Sequence, residues 1–325
     1  MQLRLATAFG LAGVVLAAGC GLSPSTPTSS APTTDGASST TSSTSTTSGS
    51  GDTITNTWVG PPADLTKLPI GTSHVSTTRT AVGGVFACDS GNPNGGGAGR
   101  PGPWINEATG TWNANEKVSV QGSVAWPMAR YSEAVEGIVR KISSNGLPVD
   151  EVTGNFPIAA SDPAYAYDGN PNSIAATTVS KSLPVAPAAA AAPGCLGKGP
   201  IGVLKNGVVL FAPLDERNRD AVVYETQDDC DGHPQQQSQY HYHDVPSCVV
   251  AAATGTSTVV GFAYDGYPIV VERNAAGELP TNADLDVCHG RTSPVLLDGN
   301  VVTTYHYSAT HEFPYSLGCY HGKQV

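Results

Sequence analysis

Apolar side chains along this chain come in short runs cut by turn residues. Val118-Ser119-Val120 and Gly207-Val208-Val209-Leu210-Phe211 have the length of strands, and Gly, Pro, Asn and Asp punctuate the intervals densely. Only residues 132–142 carry anything like a helical pattern. Residues 184–194 are rich in alanine, but the prolines around them predict a surface loop or inserted linker rather than a helix. The pattern predicts a mainly β fold, a disulfide-stapled sandwich or barrel-like domain.

The apolar runs also repeat. Ile201-Gly202-Val203-Leu204-Lys205-Asn206-Gly207 aligns with Val260-Gly261-Phe262-Ala263-Tyr264-Asp265-Gly266. Asn-Gly and Asp-Gly between apolar runs predict a tight hairpin in each copy, with a type I′ turn and positive φ at both central residues. Downstream, Asp228-Asp229-Cys230-Asp231-Gly232-His233 matches Asp286-Val287-Cys288-His289-Gly290-Arg291, and Tyr240-His241-Tyr242-His243 matches Tyr305-His306-Tyr307-Ser308. The matched positions lie 59, 58 and 65 residues apart, so two units of about 60 residues, near 200–250 and 259–322, are expected to share one core.

The ends of the chain add a location. Residues 1–19 run from Arg4 into an unbroken small and apolar stretch and read as a signal peptide. Leu16-Ala17-Ala18-Gly19-Cys20 resembles a bacterial lipobox, although Ala17 stands where leucine is more usual. Lipidation at Cys20 would anchor the protein to the outer face of a bacterial membrane; the alternative is a plain signal peptide. Residues 20–51 are almost entirely Ser, Thr, Pro, Gly and Ala and read as a disordered tether, leaving 52–325 as the folded part.

Setting Cys20 aside leaves Cys88, Cys195, Cys230, Cys248, Cys288 and Cys319, an even number in a chain bound for an oxidising compartment. Three disulfides are expected. Cys230 with Cys248 and Cys288 with Cys319 would close short loops, but sequence does not fix the pairing. With 27 acidic against 16 basic side chains, the chain lacks the cationic footprint that phosphate binding requires, which argues against nucleic acid as a partner. A protein or small-molecule partner stays open.

Seven of the eight histidines fall between His233 and His321. In an extended strand His241 and His243 share one face, about 6–7 Å apart, with Tyr240 and Tyr242 on the other. One metal ion could bridge the two rings. His233 comes from the cysteine-adjacent loop, and His306 from the equivalent strand of the second copy. With one methionine beyond Met1 and oxidised cysteines, imidazole ligation suits copper or zinc, with Asp231, Asp244 or Glu312 as possible oxygen partners. The competing reading makes the same rings cross-strand pairs satisfied by carboxylates. Calcium held by Asp228, Asp229 and Asp231, or by the 168–172 loop, lacks the EF-hand spacing. No hydrolase, phosphate-loop or dinucleotide motif is present, and catalytic residues stay unassigned.

The tetrapeptide Tyr240-His241-Tyr242-His243 resembles the signature of the bacterial YHYH-domain family. Asn145-Gly146-Leu147-Pro148, Thr153-Gly154-Asn155-Phe156-Pro157, Asn206-Gly207, Cys230-x-Gly232-His233, Asp265-Gly266-Tyr267-Pro268-Ile269 and Leu317-Gly318-Cys319-Tyr320-x-Gly322 follow in that family's order. The resemblance covers roughly residues 110–325. It implies an exported domain with His233, Tyr240, His241, Tyr242 and His243 as signature positions, and no particular activity. Together these readings lead to an anchored envelope protein whose duplicated β core binds copper or zinc for capture or surface redox activity. A structural or adhesive module and a metal-assisted hydrolase are the alternatives.

Overall fold

The computed structural model describes residues 54–97 and 99–325. The signal peptide, Cys20 and the tether lie outside the described residues. Gly51–Val325 is one compact unit.

Residues 132–142, the one stretch with a helix-like pattern, lie in a hairpin of β1 (Tyr131–Glu136) and β2 (Val139–Ser144). The reason is a two-residue period. Arg140, Ile142 and Ser144 point inward and alternate with outward side chains, while Gly137 at φ 62° makes the turn. β3 (Val179–Pro184) adds to β2 and completes a three-stranded antiparallel sheet.

The expected loop at 184–194 is also a correction. Its C-terminal half is β4 (Ala189–Gly194), which pairs irregularly with a late strand. The small side chains let another strand approach, and the prolines interrupt the pairing only locally.

The core is an eight-stranded sheet. Its strands are β5 (Pro200–Leu204), β6 (Val209–Phe211), β7 (Gly232–Pro234), β8 (Tyr240–Tyr242), β9 (Ser257–Ala263), β10 (Pro268–Glu272), β11 (Gly290–Leu297) and β12 (Asn300–Ser308). β13 (Tyr320–Gly322) is the partner of β4. The spatial order is β7-β8-β6-β5-β9-β10-β12-β11, which reads as two copies of one four-stranded motif placed back to back.

The pairing repeats as well as the order. β5 and β9 meet antiparallel at the centre, with Val203 opposite Phe262. β6 runs parallel to β8 with Leu210 opposite Tyr242, and β10 runs parallel to β12 with Ile269 opposite Tyr307. His233 faces His241 across β7 and β8 as Arg291 faces His306 across β11 and β12. In the second copy β9 also pairs with β11 at Thr258 and Leu296, curling that half toward a barrel.

Both predicted hairpins form, with a different turn. Gly207 N–H donates to Leu204 O and Leu204 N–H to Val208 O; Gly266 and Ala263 repeat this with Ala263 and Tyr267. Only the glycines have positive φ, 91° and 92°. Each is therefore a three-residue loop ending on a left-handed glycine, not a two-residue I′ turn. The extra residue leaves the Asn206 side chain free to meet Tyr242.

Three disulfides staple the unit: Cys88–Cys195, Cys230–Cys248 and Cys288–Cys319. The latter two are the short-loop pairs suggested by the sequence. No described helix is long and apolar enough to cross a membrane.

Candidate metal centre

The site is built on β7 and β8. Their antiparallel register puts His233 and His241 side by side on one face, and alternation returns that face to His243. Tyr240 and Tyr242 take the opposite face, fully buried. Tyr240 Oη donates to both carboxylate oxygens of Asp228 at 2.9 Å, and Asn206 Nδ2 donates to Tyr242 Oη at 3.0 Å. The tyrosines hold the strand to the core while the histidines line a cavity on the other side.

Asp228 organises the turn before β7. Its Oδ1 accepts the backbone N–H groups of Cys230 and Gly232 at 3.1 Å, and its Oδ2 that of Gly154 at 2.9 Å. Burial pushes this carboxyl up to about 6 against the pull of those donors and Tyr240. Gly232 has to be glycine because a Cβ there would lie 2.2 Å from the Tyr240 ring. The Cys-x-Gly-His pattern is thereby explained: the glycine makes room for Tyr240, and His233 follows in register with His241.

The three imidazoles are buried, with exposures of 4% for His233, 3% for His241 and 4% for His243. One ligand nitrogen from each lies within 4.8 Å of the other two. His243 Nδ1–H donates to Ala212 O at 2.6 Å and His241 Nδ1–H to Gln239 O at 3.2 Å. In these tautomers both Nε2 atoms carry lone pairs, and they face each other at 3.1 Å. Lone pairs so placed repel unless a cation or proton lies between them. Two imidazole nitrogens bound to one zinc or copper ion are about 3.0–3.4 Å apart, which is the spacing found.

His233 carries a second sign. Both of its ring nitrogens are buried without a hydrogen-bond partner of ordinary geometry. The Thr226 backbone favours the protonated ring, but burial dominates and, with the neighbouring His241 and His243, holds the His233 pKa well below the usual range. His241 is lowered in the same way by burial and His243. Leaving a buried polar group unsatisfied costs about 1–3 kcal/mol, and an ion on Nε2 would remove that cost for one of the two nitrogens.

Glu225 is the carboxylate at this site and was not singled out from the sequence. It follows the short helix α1 (Ala221–Tyr224), capped by Asp220, and its Oε2 lies 3.3 Å from His243 Nε2 and 3.6 Å from His233 Nε2. The site opens into a cleft of about 1170 Å³ whose walls include Asp168, Asn170, Gln237 and Phe211. The Asp168 carboxyl is raised by burial and by the charge of Glu225. Phe211 lies 4.1 Å from the His241 ring and fixes its orientation.

The other sequence candidates separate from this group. His306 does not join the trio. It lies in the second copy, where its Nε2 meets Glu272 Oε1 at 2.8 Å. The near-twofold arrangement places it beside its own carboxylate rather than opposite His241. Asp231 accepts Ser247 N–H and Glu312 accepts Asn282 N–H, so both are turn braces. Asp244 is not in the cluster. Asn170 Nδ2 donates to Pro234 O, using the 168–172 loop to support β7. Glu151, Cys230 and Cys248 also lie close together, but both sulfurs are spent in a disulfide.

Comparison with protein families finds that the model described as YHYH protein matches residues 180–278, which contain β5 to β10 and all three clustered histidines. No curated protein and no solved structure matches the chain.

Proposed function

The segment from residue 180 to 278 belongs to the YHYH family, and from that premise we propose that this domain is a transition-metal centre, binding zinc or copper through His233, His241 and His243. The observation that carries this reading is the facing pair of Nε2 atoms, 3.1 Å apart, each with its Nδ1–H already committed to a backbone carbonyl. The two orphaned nitrogens of His233 beside them support it.

Three histidine ligands would leave a coordination position open, and the trio lines a cleft rather than packed core. An open position suits a reactive or exchangeable centre better than a closed structural one. Zinc would supply a Lewis acid for hydrolysis, and copper a one-electron couple for surface redox chemistry. The residues of this chain orient the imidazoles, disfavour protonation of His233 and His241 by burying them, and hold Glu225 beside the trio. Export and anchoring through Cys20 belong to the same reading, and the three disulfides support an oxidising compartment.

The test is elemental analysis of the purified, tag-free exported protein beside a His241→Ala/His243→Ala variant shown to be folded. Zinc or copper at about one per chain, lost in the variant, is the expected result. No metal in either, and no uptake on titration, would leave a structural or adhesive module.

A further inference from the structure

The second copy keeps the same scaffold and fills it differently. Asp286 accepts the N–H groups of Cys288 and Gly290 and the hydroxyl of Tyr305, as Asp228 does for Cys230, Gly232 and Tyr240. A Cβ on Gly290 would meet Tyr305 Oη at 2.4 Å, as one on Gly232 would meet Tyr240. Asp231 and His289, at matching positions, both have positive φ. By strand register Arg291 stands where His233 stands, His306 where His241 stands, and Ser308 where His243 stands.

These three side chains surround one buried carboxylate. Glu272 Oε1 accepts from His306 Nε2 at 2.8 Å and Ser308 Oγ at 2.6 Å. Its Oε2 accepts from Arg291 Nε at 3.1 Å, with Arg291 Nη2 at 3.0 Å. His306 Nδ1 meets Thr304 O at 3.2 Å, the same contact that His241 makes with Gln239 O, so the two rings are presented alike. Asn56 and Trp58 cover Arg291 where the first copy has its cleft, the guanidinium lying 4.8 Å from the Trp58 ring.

We infer that this cluster is the counterpart of the metal site, in which the Arg291 guanidinium is the built-in cation, and that imidazoles at 291 and 308 would make it bind metal. The inference rests on the proposed role of His233, His241 and His243. Its chemistry is a change of cation. In the first copy three imidazoles converge, with no built-in guanidinium among them, and the proposed positive charge comes from outside. In the second, one imidazole is kept, one is replaced by a hydroxyl and one by a permanent cation that pairs with Glu272. A guanidinium is charged at any physiological pH, so this half needs no ion to balance its buried carboxylate. Burial pushes Glu272 up, but the hydrogen bonds from His306 and Ser308 and the charge of Arg291 outweigh it and hold the carboxyl below its usual range.

The experiment measures zinc per chain in four forms of the exported protein after incubation with zinc chloride and dialysis. These are the natural chain, His241→Ala/His243→Ala, Arg291→His/Ser308→His, and the four substitutions together. The expected contents are about one, none, two and one. A natural chain that takes up neither zinc nor, in a parallel incubation with copper chloride, copper refutes the first site. A natural chain with one zinc, and folded Arg291→His/Ser308→His variants that gain none, overturns this inference alone. If those variants do not fold, Arg291→Ala in the His241→Ala/His243→Ala background gives a second reading. Its melting temperature should rise by several degrees in ~1 mM zinc chloride, where the same background with Arg291 intact shows no rise. Absence of that difference also overturns the inference.

Discussion

Tyr240 and His241 are neighbours in sequence and serve opposite sides of β8, one bonded to Asp228 in the core and the other lining the cleft. Side-chain alternation makes the tetrapeptide a division of labour, which the sequence already showed. The sequence did not show why glycine precedes His233. Gly232→Ala would drive a methyl group into the Tyr240 ring, and overpacking of this kind costs about 1–3 kcal/mol. A fall in urea midpoint at unchanged m-value is the expected outcome. His289 makes a different prediction. Burial lowers its pKa to about 3, so between about 6.5 and 3 the unfolded chain binds a proton that the folded chain refuses. Its contribution to stability is therefore intact above pH 6.5 and declines as pH falls through that window. Asn tolerates the positive φ of 68° at this position. In urea unfolding across pH 6 to 4, His289→Asn should gain on the natural chain by about 1 kcal/mol per pH unit.

At the scale of elements, the two hairpins and the paired landmarks were legible because Asn-Gly and Asp-Gly between apolar runs leave few alternatives. The turn type was not, since one extra loop residue moves positive φ from two positions to the glycine alone. The 131–144 hairpin is masked in the sequence because its inward positions include Arg140 and Ser144, polar residues that blur a two-residue period. Arg140 is buried because it pairs with Glu133 and Asp298 and lies over the Phe262 ring. Glu225 had no signal at all: it is set against the histidines by α1, with nothing local to mark it. The turn into β7 depends on Asp228, which serves three backbone N–H groups and one hydroxyl. Asp228→Ala should lose about 3 kcal/mol or more of stability and weaken metal binding at least tenfold, because β7 loses its anchor. Calorimetric titration with zinc beside urea unfolding separates the two effects.

Across the molecule, the even cysteine count and the short spacings anticipated the disulfides, and Cys88–Cys195 spans 107 residues. A cross-link closing so long a loop restricts the unfolded chain most, by about 4–5 kcal/mol in the chain-entropy account. Cys88→Ser/Cys195→Ser should therefore lower the melting temperature more than loss of either short-loop bridge, as thermal unfolding would show. The duplication was legible in outline, and the difference between the side-chain clusters of its two copies was not. Both copies have an aspartate-braced turn, two buried tyrosines and a histidine in register, yet one ends in converging imidazoles and the other in an arginine, serine and glutamate closed on one another. His306 was placed with the first group because sequence shows equivalence without showing on which half of the sheet each copy lies.

X-ray absorption at the metal edge of the zinc- or copper-loaded protein counts the imidazole ligands around the ion. About three nitrogen scatterers near 2.0 Å with the outer-shell pattern of imidazole are expected, reduced by one in His233→Ala. An ion bound by oxygen or sulfur alone, or a spectrum unchanged by His233→Ala, would contradict the three-histidine centre.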